Sequence, residues 1–120
     1  MHASIEPWVS CEEISQRLEK IDSSQSVVLA NKFFVRGVRF FTDRPVAALD
    51  INGDGFFSPH PIPFLNTKKK VLDFIEEQKK LYAIVKQSTV KDLKEIINQT
   101  PYHLELLDQV ADKCLIKIQQ

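Results

Sequence analysis

Three short apolar runs constrain this chain more than anything else in it: "SVVLA" from Ser26, "PVAAL" from Pro45 and "LYAIV" from Leu81. A strand covered on one face alternates apolar and polar side chains, whereas a strand covered on both faces is apolar throughout. Segments of helical pattern separate the runs, and strands alternating with helices imply a mainly parallel sheet with helices packed on its faces.

The helical segments are read from spacing. "SCEEISQRLEKI" opens with Ser10 and sets Glu13 three residues on, the reciprocal arrangement that satisfies two unpaired first-turn N–H groups, and Cys11, Ile14, Leu18 and Ile21 then share one face. A short irregular helix is expected near Phe33 to Phe41 and a helix from Thr67 with Val71, Leu72, Phe74 and Ile75 inward. A further helix is expected with Ser88 as cap and Val90, Leu93, Ile96 and Ile97 inward. After Pro101 the pattern alternates, with Leu104 and Leu106 on one face of a strand and Cys114, Ile116 and Ile118 on one face of another. This predicts a closing antiparallel hairpin that turns near Ala111 to Lys113. The expected fold is therefore a single α/β domain over residues 1–120, with a mainly parallel sheet of about five strands and a C-terminal antiparallel hairpin. Residues 1–9 read as a flexible leader and 50–66 as a long loop.

Composition removes several function classes. With 120 residues and 43% hydrophobic content, the chain can bury one core. Sixteen basic and sixteen acidic side chains leave no net field to draw in a nucleic acid or an anionic membrane. Cys11 and Cys114 match no zinc spacing and are expected as two buried thiols in preference to a bridge. No apolar run approaches the roughly 20 residues that cross a bilayer, so the segment is expected to be soluble and, in isolation, a monomer.

The segment 50–66 invites a metal reading. Asp50, Asn52, Asp54 and Gly55 match the first half of a calcium loop, but Pro61 stands where a bidentate glutamate belongs, and the flanks are a strand and a proline-rich loop. Calcium at Asp50, Asn52 and Asp54 is therefore weighed and not adopted; Asn-Gly and Asp-Gly pairs also serve where a strand ends and the chain reverses. No cofactor is assigned. The same loop would leave the carboxyl end of the second strand, where open parallel sheets place ligands, so His60, with Ser58 and Asp54 as companions, is the candidate ligand contact. Arg44 is added as a possible anion partner, although arginines beside the aromatic run are also expected to pair with Asp43 or to cover rings with their stems.

No catalytic residue is assigned. Nucleophile elbow, phosphate-cradling glycine loop, dinucleotide fingerprint and zinc-protease helix are all missing, and only three glycines are present. Lys68, Lys69 and Lys70 crowd the first turn of a helix, against its dipole, and read as a solvated basic turn paired with Glu76 and Glu77. Phe33, Phe34, Phe40 and Phe41 are expected in the core. "NQT" at Asn98 is a formal glycosylation acceptor that matters only for a secreted eukaryotic chain.

The run "GVRFFTDRPVAALDINGDGFFSPHP", followed by "LYAIVKQSTVKDL" and "LLDQVADKCLIKI", resembles the soluble C-terminal region of integral-membrane glycosyltransferases that use lipid-phosphate-linked sugars. These are bacterial relatives of dolichyl-phosphate-mannose protein mannosyltransferases and of lipid A aminoarabinose transferases. The phrase that carries the resemblance is Val38 to Val46, with Phe41 where tyrosine is common, and the order of elements matches from about Ser10 onward. The resemblance implies a non-catalytic accessory domain on the extracytoplasmic, periplasmic face of a membrane. It would pack on the membrane-embedded part of its parent enzyme and shape or gate the acceptor site, with a lipid-linked sugar or acceptor near His60. The alternative, from a different class, is a free-standing cytoplasmic α/β ligand-binding or protein-interaction module.

Overall fold

The structure is a computed structural model that describes residues 6–22, 26–42, 44–50 and 64–120. Among these, six strands form one sheet: β1 (Val28–Asn31), β2 (Val46–Leu49), β3 (Phe64–Leu65), β4 (Lys80–Lys86), β5 (His103–Val110) and β6 (Lys113–Gln119). The order is β3-β2-β1-β4-β6-β5, with β3, β2, β1 and β4 mutually parallel and β6 antiparallel to both of its neighbours. The expected α/β class, mainly parallel core and C-terminal hairpin are all present.

Helices α1 (Glu6–Ile21) and α2 (Val35–Thr42), the latter entered through a single 3-10 turn, cover one face; α3 (Lys68–Gln78) and α4 (Gln87–Ile97) cover the other. This division follows from topology. The chain steps from β1 to β2 through α2, then passes from β3 through α3 back across the sheet to β4; right-handed crossovers in opposite directions require opposite faces.

The strands alternate between the two cores. Leu29, Ala47, Leu81, Ala83, Val85 and Ile116 meet Val71, Ile75, Leu93 and Ile97 of α3 and α4. Val28, Ala30, Ala48, Ile84 and Leu115 meet Cys11, Ile14, Leu18, Val35 and Val38 of α1 and α2. The uniformly apolar strand sequences thus serve both faces, as the runs in the sequence required.

Several expectations are corrected. Helix α1 begins at Glu6, so Ser10 lies inside it and residues 6–9 are helical; Pro7 suits the first turn, where its missing N–H has no partner to lose. Helix α4 starts at Gln87 directly after β4, with Ser88 inside the first turn and no side-chain cap. A sixth strand, β3, lies inside the segment read as loop, and it is joined to β2 by the Asp50 N–H donating to the Leu65 carbonyl at 3.1 Å. Phe34 is buried, but Phe40 is 71% exposed, with its ring edge-on to Phe41 at 4.9 Å. A bulge between Leu106 and Asp108 shifts the register so that Asp108 and Val110 join Leu107 on the α1 side, while Leu106, opposite Ile116, is left 54% exposed.

The thiols follow the expected reading. Cys11 and Cys114 are both free and buried, and they belong to cores on opposite faces of the sheet.

Candidate functional site at the carboxyl edge of the parallel strands

The direction of chain progression reverses between β1 and β4, so the turns leaving their carboxyl ends diverge to opposite faces, the position at which open α/β sheets hold ligands. Asn31, the last residue of β1, links the two sides of this reversal. Its Oδ1 accepts the Lys86 backbone N–H at 2.6 Å, and its Nδ2 donates to Thr89 Oγ1 at 3.1 Å. A side chain at the end of one strand therefore ties down the start of the helix that follows the next.

Beside it, Lys32 Nζ lies 3.7 Å from Asp50 Oδ2, and both side chains are about one-third exposed. Asp50 directly follows β2 (Val46–Leu49). The β6 strand begins at this same edge, because Lys113 pairs with Lys86. Lys113 is 1% exposed; its ammonium sits 4.6 Å from the centroid of the Phe34 ring and 3.4 Å from Asp112 Oδ1. A desolvated cation over an aromatic face is worth about 2 kcal/mol, which helps hold the ammonium inside. Burial pushes the Cys11 thiol above its ordinary pKa, with the Lys113 charge and the Ser15 hydroxyl opposing that shift.

Of the four residues expected to contact a ligand, the structure describes Arg44; Asp54, Ser58 and His60 lie outside the described residues, as do Asn52 and Gly55 of the half calcium motif. Arg44 precedes β2 and sits at the amino edge of the sheet, the opposite edge from Asp50. Its side chain has no exposure. Nε donates to Glu19 Oε2 at 2.5 Å, Nη1 to Asp22 Oδ2 at 3.1 Å and to the Ser26 carbonyl at 3.2 Å, and Nη2 to the Asp22 carbonyl. The expected partner was Asp43 or an aromatic ring. The observed partners come from the end of α1 and the lead into β1, which makes Arg44 a tie between elements.

The basic turn of α3 also pairs with residues outside its own helix. Lys68 lies 3.8 Å from Glu95 and Lys70 Nζ donates to Asn66 Oδ1 at 3.1 Å, in place of the expected Glu76 and Glu77. Among the described residues no group of three or more His, Cys, Asp or Glu is gathered to hold a metal.

Sequence reasoning missed Asn31, Lys32, Lys86 and Thr89. The available signal was positional: each strand run ends on a polar residue, "VVLAN" and "AIVK", and those polar ends converge once β1 and β4 are neighbours.

No protein-family model matches the chain, and no curated protein matches it. Among solved structures it is similar to a ribosomal protein L11 methylase from Lactobacillus delbrueckii subsp. bulgaricus, at 10% identity and a TM-score of 0.42, over 92% of this chain and 76% of that one. The resemblance to lipid-linked-sugar glycosyltransferases is corrected accordingly: no family model and no curated protein of that kind matches the chain. At this identity and TM-score, nothing about activity passes from that protein to this chain. Among the described residues no helix is long and apolar enough to cross a membrane.

Proposed function

We propose that this chain is a non-catalytic α/β binding module that holds a small polar ligand at the carboxyl edge of its parallel strands. The observation that carries the reading is the reversal between β1 and β4, where Asn31 ties the end of β1 to Lys86 and Thr89 at the start of α4 and Lys32 pairs with Asp50 beside it. Open α/β sheets bind ligands at such a reversal because the divergent turns leave a crevice that no helix fills. The side chains there offer amide, ammonium, carboxylate and hydroxyl groups, which suit a hydroxylated or phosphorylated small molecule. The lack of any nucleophile, phosphate-loop or dinucleotide motif in the sequence supports binding without turnover.

The test is an NMR titration of the chain with simple sugars, sugar phosphates and calcium chloride in turn. Amide shifts clustered at Asn31, Lys32, Asp50 and Lys86 to Thr89 with a sugar or sugar phosphate are expected. No shift at those positions with any sugar or sugar phosphate would sink the reading, and shifts confined to Asp50, Asn52 and Asp54 with calcium would replace it by a metal site.

A further inference from the structure

The two faces of the sheet are covered unequally at the β5 end. On one face α1 packs on both β5 and β6, and Arg17 Nη1 reaches Asp108 Oδ2 at 2.6 Å. On the other face α4 packs chiefly on β4 and β6. The result is a groove of about 220 Å³ between α4 and the outermost strand. Its floor is Leu104, Leu106 and Cys114 with Val90 at the side, and Lys91 and Lys94 of α4 form its wall; no carboxylate lines it. Among the described residues β5 pairs only with β6, so its outer backbone groups form an open edge beside this groove.

We infer that this edge and groove dock an extended peptide from another protein, which adds as a further strand alongside His103–Leu106, the regular half of β5 before the bulge. Strand addition satisfies the outer N–H and C=O groups, and alternate side chains of the added strand enter the groove. Charge sets the chemistry of the occupant. Side chains turned toward α4 meet Leu104 and Leu106 and then the ammonium groups of Lys91 and Lys94, which calls for apolar residues and a carboxylate. Side chains turned the other way meet Glu105, which calls for a cation. A second copy of this chain fits less well, because it brings the same lysines to the groove and the carboxylates of its own "HLELLDQV" to the edge. This surface is distinct from the reversal at Asn31 and does not depend on it.

The probe is a synthetic peptide that alternates leucine with lysine and ends in two glutamates, labelled with a fluorophore and titrated with the full chain. Amide shifts in His103–Val110 and along α4 are expected, together with about a tenfold loss of affinity in Leu106→Lys and in the double variant Lys91→Glu, Lys94→Glu. All three positions line an open groove, and circular dichroism checks that the variants fold. A peptide with the glutamates changed to lysines is expected to bind at least about tenfold more weakly. Equal binding of the two peptides, shifts away from β5 and α4, or no binding at millimolar peptide would each overturn the proposal. Concentration-dependent dimerisation abolished by Leu106→Lys would overturn it in favour of self-association. Shifts at Asn31 and Asp50 belong to the other surface, so the two readings fail separately.

Discussion

The Arg44 guanidinium has no exposed surface, and Glu19, Asp22 and two backbone carbonyls take its donors. Removing one partner of such a pair leaves the other charges poorly compensated, so Arg44→Ala is expected to cost about 3 kcal/mol, read as a lower urea midpoint. A cost under about 1 kcal/mol would mean that the carboxylates reach water unaided. Asp108 carries a pH dependence at the same scale. Its hydrogen bond from Arg17, and then one from the Gln109 backbone N–H, holds its carboxyl below the usual aspartate value. A depressed folded-state pKa contributes stability that is fully present above the unfolded pKa, about 3.9, and is lost as pH falls through the folded value. The stability difference between wild type and Asp108→Asn is therefore expected to be constant from neutral pH down to about pH 5 and to shrink below about pH 4. A difference that grows on acidification would contradict the assignment.

Helix α3 shows what an element takes from its ends. Thr67 Oγ1 accepts the Lys70 N–H at 3.1 Å, and at the other end Lys79 adopts φ 66°, with its N–H bonded to the Ile75 carbonyl at 2.8 Å. A left-handed lysine costs about 1 kcal/mol that glycine avoids, so Lys79→Gly is expected to raise stability by about 0.5–1 kcal/mol, while Thr67→Ala lowers it by about 1 kcal/mol. Loss of stability in the glycine variant would show that the Lys79 side chain matters more than its backbone. Elements of this kind were legible in the sequence where a pattern repeats: β1, β2 and β4 as unbroken apolar runs, α3 and α4 by helical spacing, and the hairpin by alternation. Helix α1 misled because Ser10 and Glu13 match a capping pair even within a helix that is already running. Strand β3 is two residues long and has no period to detect. Arg44 and Asn31 were opaque for another reason: their partners lie 18 to 25 and 55 to 58 residues away, so their roles exist only once strand order is set.

At the scale of the whole molecule the two cores share one sheet, and neighbouring residues of a single strand belong to different cores. Leu115 faces α1 and Ile116 faces α4, and each has no exposed surface. Backbone hydrogen bonds couple the faces, since β6 cannot leave the ladder for one core and stay for the other. Domains of this size ordinarily unfold as one unit. Leu115→Ala and Ile116→Ala are each expected to cost about 2–5 kcal/mol, in a single transition. Helix α1 carries the one tryptophan, Trp8, and covers the face of the sheet opposite the one that Ile116 turns to. In Ile116→Ala the fluorescence and circular dichroism transitions are expected to move together to a lower urea concentration. A fluorescence transition that stays at the wild-type midpoint while circular dichroism shifts would show that the α1 side folds independently, and the sheet would then be a scaffold for two units instead of the coupling between them.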